Sequence, residues 1–168
     1  LARNADTQVD YVPDDRFAIQ PALTFEPSAD TSITLLGHFR RDRTGSTQQF
    51  LPHVGTIFPN VSGNFIPWDT FVGEPGDSYD TDSASATLLF EHTFNDAVKL
   101  QHNTRYTDVH NNYFGYYPGF FAGLTTTPQM PYLDPQQTQI DRVKTYSDTD
   151  TQVFTTDTNL QVKFQTGA

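Results

Sequence analysis

The feature that most constrains this chain is a two-residue alternation of apolar and polar side chains, repeated in several segments with no helical period between them. Phe17, Ile19, Pro21, Leu23 and Phe25 alternate with Ala18, Gln20, Ala22 and Thr24, and the pattern resumes as Ile33, Leu35, Gly37 and Phe39 against Ser32, Thr34, Leu36, His38 and Arg40. A period of two places each set on its own face of a β-strand. Between the runs, Glu26-Pro27-Ser28-Ala29-Asp30 has turn chemistry, since Pro presets one dihedral and Ser or Asp bonds the local backbone. The expectation is a hairpin over residues 15–43. Ala84, Ala86, Leu88 and Phe90 then alternate with Ser85, Thr87, Leu89 and Glu91. A short turn at Asn95-Asp96-Ala97 leads into Val98, Leu100, His102, Thr104 and Tyr106, facing away from Lys99, Gln101, Asn103 and Arg105. A last strand sets Phe154, Thr156, Thr158, Leu160, Val162 and Phe164 against Thr155, Asp157, Asn159, Gln161, Lys163 and Gln165.

The connections decide the fold class. One end of the sheet has turns of about four residues, while residues 44–80 and 112–147 form loops of about 35, far above the usual connection length. Short turns at one end and long loops at the other, with apolar side chains outward and polar ones inward, is the layout of a transmembrane β-barrel. Aromatics gather where two interfacial girdles would run: Phe25, Phe90, Phe94 and Phe164 by the turns, Phe17, Phe39 and Tyr106 toward the loops. Lys99, Arg105, Lys163, Asp157 and Glu91 all fall on the polar face, where a hydrated lumen accommodates them. His102 is the one misfit on the apolar face. A soluble antiparallel sheet with one wetted face gives the same alternation, but not the asymmetry of the loops.

Composition narrows the function. Only 36% of the 168 residues are hydrophobic, yet Phe and Tyr number 14 and 8, which suits strands with one apolar and one wet face. A formal charge of −10 argues against nucleic acid as a partner. With no cysteine there is no disulfide scaffold, thiolate metal site or thiol nucleophile. The five histidines show no ligand-pair spacing. Asp77, Asp80 and Asp82 lack the full calcium-loop pattern and read as a solvated acidic loop. Asp148 and Asp150 share a face in the manner of a glycosidase pair, with nothing to place a third group. No nucleophile elbow or phosphate loop is present, so no enzyme is expected.

Several segments resemble a known family. The run from Asp14 to Phe25 (Asp-Asp-Arg-Phe-Ala-Ile-Gln-Pro-Ala-Leu-Thr-Phe), followed by Pro27 and Asp30-Thr31-Ser32, resembles a barrel hairpin of the TonB-dependent siderophore receptors. The ferrichrome and hydroxamate-siderophore branch is most similar. Thr44-Gly45, Phe50-Leu51-Pro52, Gly55-Thr56, Gly73-Glu74-Pro75, Phe90-Glu91-His92-Thr93-Phe94-Asn95-Asp96 and the stretch from Leu160 to Gly167 extend the similarity, in the same order, over nearly the whole chain.

The resemblance implies an all-β antiparallel meander: about five or six strands of a 22-stranded barrel whose lumen holds a plug. Residues 1–168 then form a single interior segment of the barrel, without the plug or the remaining strands, and with two open sheet edges. It also implies a Gram-negative outer-membrane location, a ferric siderophore of hydroxamate type as ligand, and energy from TonB acting through the plug. Iron would arrive already chelated, so no protein metal ligand or cofactor is expected. The matching ligand-contact positions are Phe50, before Leu-Pro at the start of the first long loop, and Phe114 and Tyr116 of the aromatic-Gly-aromatic element at the second. Gln48 stands where relatives carry Tyr. Rings supply contact area to a partly apolar chelate and phenols supply hydrogen bonds. The other readings are a soluble β-rich module that stacks on sugars, a passive porin, and heme or another metal chelate as the ligand.

Overall fold

The alternating segments pair into one antiparallel sheet. In the computed structural model, which describes residues 1–45, 50–119 and 131–167, seven strands follow in chain order. They are β1 (Ala2–Arg3), β2 (Asp14–Ile19), β3 (Ala22–Ser28), β4 (Thr31–Thr44), β5 (Ser78–Asn95), β6 (Val98–Pro118) and β7 (Arg142–Val162). Strands β4 to β7 form a meander, and β2 and β3 lie end to end along β4. These two are one strand interrupted at Gln20-Pro21, because Ile19 faces Phe39 and Ala22 faces Leu36 without a change of register. Pro21 brings no N–H to the ladder. Its ring fills the space beside Gly37, where a Cβ would lie 2.8 Å from Pro21 Cγ. The expected hairpin over residues 15–43 therefore forms with a break in its first strand.

Two boundaries differ from the sequence reading. Only Ala29-Asp30 and Asp96-Ala97 separate the strands at the tight turns. In the second, the Asn95 carboxamide oxygen accepts the N–H groups of Ala97 and Val98 at 2.9 and 3.0 Å. At the other end, β6 and β7 run well past the last alternating residues, so the second loop spans 119–141 rather than 112–147. Tyr113, Phe114, Tyr116 and Tyr117 put aromatics on both faces, which erases the polarity signal. The β6–β7 ladder nonetheless continues from Val98 opposite Val162 to Pro118 opposite Arg142.

Residues opposite one another in a ladder share a face, so the register displays both faces. One carries the rows Gly37–Ala86–Tyr106–Phe154, Leu35–Leu88–Thr104–Thr156 and Ile33–Phe90–His102–Thr158. On β6 this band runs from Val98 to Tyr106, about nine residues, the length a tilted strand needs to cross the hydrocarbon layer. Leu23, Phe25, Phe154 and Leu160 lie exposed on it, an apolar surface suited to lipid. His102 is no longer a misfit: its Nδ1 shares a 2.8 Å hydrogen bond with Thr158 Oγ1 directly across the ladder. The band ends in charge. Arg41, Asp82, His110 and Asp150 form the next row but one above Tyr106, with Arg41–Asp82 at 3.0 Å and His110–Asp150 at 2.7 Å. The Asp148/Asp150 pair thus holds His110, and Asp80 and Asp82 both bond Arg43.

The opposite face is polar. Glu91 takes Lys99 at 2.6 Å and Gln101 at 2.8 Å, Arg40 pairs with Asp42, and Asp157 stands opposite Asn103. A single sheet has little interior. The buried apolar side chains among the described residues are Val12 and prolines such as Pro52, Pro118 and Pro131. Burial therefore has to come from outside the sheet, from lipid on one face and from whatever fills the lumen on the other.

Adjacent residues make the two faces testable. Leu88→Arg places a charge in the lipid-facing band and is expected to cost roughly 2–4 kcal/mol, whereas Leu89→Arg enters the polar face and is tolerated. Heat-modifiable migration of the complete barrel in detergent checks this. Equal loss of the folded form in both variants would contradict the assignment of faces.

Candidate functional site

Above the charged rows the strands continue as an aromatic rim. Counting in twos along β6 from Lys99 and Arg105 leads to Tyr113 and Tyr117, which stay on the polar face. Tyr113 packs edge-on against Tyr79 of β5 at 5.6 Å. These two, with Asn111, Ser147 and Thr149, line a recess of about 250 Å³. Phe50 packs edge-on against Tyr117, also at 5.6 Å. Its backbone is left-handed (φ 38°), a conformation rare outside glycine and common at functional sites.

The even-numbered residues of β6 continue the lipid-facing side. There Phe114 and Tyr116 pack edge-on at 5.9 Å, with Lys144 Nζ 5.0 Å from the Phe114 centroid and the Arg142 guanidinium 5.7 Å from that of Tyr116. The rings expected to meet a ligand are therefore divided. Phe50 stands with Tyr117 on the polar side, Phe114 and Tyr116 stand together on the other, and Gln48 lies outside the described residues. The partnership of Phe50 with Tyr117 and the contribution of Tyr79 were missed by motif matching. Strand parity places Tyr79 and Tyr117 on the polar face once the strands are extended, whereas the Phe50 contact comes from a loop and has no such signal.

The loops hold this rim as one body. Tyr132 donates its hydroxyl to Val54 O at 2.7 Å, and the Val61 N–H bonds Gln137 Oε1 at 2.8 Å, so the second loop grips the first. Burial pushes the Tyr132 phenol up, and the Asp134 charge adds to the effect. Burial also raises Asp134, but hydrogen bonds from Thr138 and Gln139 outweigh it and hold the carboxyl below the usual range. Arg142 at the foot of β7 donates to Val72 O (3.1 Å) and Gly73 O (2.8 Å) and pairs with Glu74. Asp77, only 6% exposed, accepts the N–H groups of Glu74 at 3.1 Å and Tyr116 at 3.0 Å on one carboxylate oxygen. Gly73 is required here, because a Cβ would overlap both that oxygen and the Phe71 ring.

This architecture presents ring faces and phenol hydroxyls on the polar face at the loop end of the sheet. Such a lining suits a partly apolar ligand edged with hydrogen-bond acceptors. The anchoring is directly testable. Gly73→Ala and Arg142→Ala should both free residues 50–77, giving several-fold faster proteolysis there with β-sheet content unchanged. Wild-type cleavage rates in both would remove Arg142 and Gly73 as anchors.

No family model matches the chain. Among curated proteins it is 30% identical to the ferrichrome outer membrane transporter/phage receptor of Escherichia coli strain K12, over 99% of this chain and 23% of that protein. It is 24% identical to the ferrioxamine receptor of Yersinia enterocolitica, over 100% of this chain and 22% of that one. Among solved structures, the open form of the ferric-catecholate import receptor Fiu from E. coli K12 aligns with a TM-score of 0.77 at 20% identity, over 99% of this chain and 26% of that one. The chain therefore spans about a quarter of the length of the relatives it matches. The meander has the fold of these receptors, its register separates a lipid-facing band from a polar wall, and its whole length aligns with about a quarter of theirs: the chain is similar to a barrel segment of the outer-membrane siderophore receptors.

Proposed function

We propose that residues 1–168 are a stretch of barrel wall in a receptor that binds and imports ferric siderophores, energised through TonB. The plug and the remaining strands belong to other parts of the complete protein. The observation that carries this reading is the two-sided register. One continuous β5–β6–β7 ladder supplies a lipid-length apolar band on one face, and on the other a polar wall that rises into an aromatic recess. A passive porin has no need of such a recess. A soluble sugar-binding module would leave Leu23, Phe25 and Phe154 in water.

The ligand is a ferric siderophore, and the hydroxamate class is favoured because relatives named for ferrichrome and ferrioxamine align with the chain. A relative named for catecholate siderophores aligns as well, so the choice rests on the rim. Iron enters as cargo inside its chelate. The wall needs no metal ligand, no cofactor and no catalytic group. Phe50 and Tyr117 meet the chelate from the polar side, with Tyr79 and Tyr113 below them. Phe114 and Tyr116 shape the rim from behind, and Gln48 stands two residues before Phe50.

Iron-starved cells lacking the gene should lose uptake of at least one labelled ferric hydroxamate and regain it on complementation. Undiminished uptake of every chelate tested, hydroxamate or catecholate, would refute the reading. Phe50→Ala and Tyr117→Ala in the complete receptor should each weaken binding by roughly 5- to 50-fold, about 1–2 kcal/mol per ring, and more than Phe114→Ala does. Quenching of intrinsic fluorescence by the ferric chelate measures this, and the reverse order would move the site to the other face.

A further inference from the structure

Five cations stand on the polar face within the strands: Arg3, Arg16, Arg40, Lys99 and Arg105. Four have a carboxylate in contact, namely Asp14 for Arg3 at 2.8 Å and for Arg16 at 2.7 Å, Asp42 for Arg40, and Glu91 for Lys99 at 2.6 Å. Arg105 differs. Among the described residues its one hydrogen bond is to Ser85 Oγ, at 3.2 Å, and it forms no ion pair. The nearest acid by register, Asp157, lies opposite Asn103, one diagonal step along the ladder. A guanidinium carries five N–H groups in a planar fork, so most of its donors here await an acceptor.

The surroundings form a site. Arg105 opens on a cavity of about 340 Å³ that Gln20, His38, Ser85 and Thr87 also line. His38 is fixed by Gln20 Nε2 at 3.0 Å on Nδ1, with Ser83 Oγ 3.4 Å from Nε2. The cavity lies beside the Gln20-Pro21 break, level with Tyr106 on the reverse face. It also lies on the face of the aromatic recess, eight residues below Tyr113, or about 26 Å along the strand. Arg105 is exposed on this wall, and a carboxylate matches a guanidinium fork with two parallel hydrogen bonds.

We propose that Arg105 is an acceptor site for a carboxylate inside the lumen, with Gln20 and Ser85 as neighbouring hydrogen-bonding groups. The carboxylate comes from polypeptide packed in the lumen or from a free carboxylate on a ligand passing down the wall. This inference rests on the barrel-wall reading above.

The test uses the complete receptor in outer membranes, with Arg105→Ala, Arg105→Gln and Arg105→Lys. Heat-modifiable migration confirms barrel assembly, and Arg105→Gln serves where Arg105→Ala does not assemble. One readout is the urea midpoint at which a fluorophore on the lumen-filling domain becomes mobile. The other is uptake of two ferric trihydroxamates, one bearing a free carboxylate and one without it. A lowered midpoint restored by Arg105→Lys supports the site with a polypeptide carboxylate. An unchanged midpoint with uptake of the carboxylate-bearing chelate reduced about fivefold, and the other chelate unaffected, supports it with a ligand carboxylate. An assembled variant with wild-type values in both readouts overturns the proposal. Should the wild-type receptor import neither chelate, the hydroxamate reading fails, while the urea midpoint still decides whether Arg105 is engaged.

Discussion

The antiparallel ladder from β5 through β7 is the constraint on which everything else rests. It runs from the tight turn at Asp96-Ala97 to the aromatic rim, and β6 pairs with β7 over the whole of its length without a shift. Because side chains alternate along a strand, a residue's face is settled by its parity from one end to the other. Membrane contact, lumen wall and rim chemistry are thus three stretches of one pattern. Val98 and Tyr106 face lipid for the same reason that Phe114 and Tyr116 face away from the recess. Lys99 and Arg105 face the lumen for the same reason that Tyr113 and Tyr117 line it.

Much of this was legible in the sequence. Wherever one face was apolar and the other polar, alternation gave the strand, its faces and its neighbours, as at Leu23 to Phe25 or Val98 to Tyr106. It failed where both faces carry the same chemistry. The segment from Tyr113 to Tyr117 is aromatic on each side, so strand pairing there had no polarity to report. The break at Pro21 left the alternation undisturbed, because the register continues across it and only a ladder bond is lost. The His102–Thr158 bond is long-range, and no local window contains both partners.

The site was harder to read. Motif matching picked Phe50, Phe114 and Tyr116 from three positions in sequence, and the fold separates them by face. The loop anchors are backbone carbonyls of Val72 and Gly73 held by a guanidinium about seventy residues away, together with a buried carboxylate that binds two N–H groups. Interactions between backbone groups and distant side chains leave little compositional signature, so Gly73 stood out only as part of a motif and Asp77 only as part of an acidic loop, neither as an anchor. The sheet lacks a hydrophobic core, so these polar anchors and the loop-to-loop bonds of Tyr132 and Gln137 fix the rim.

The unshifted β6–β7 register has a consequence for how such a wall can change over time. Inserting or deleting one residue between Tyr106 and Tyr113 would exchange the faces of everything above it. Tyr113 and Tyr117 would turn outward, while Phe114 and Tyr116 would turn into the recess. Two residues at once would preserve the faces and only raise or lower the rim. Variation in strand length between relatives should therefore accumulate in even steps within the paired region, while odd changes collect in the loops, where no partner strand keeps count.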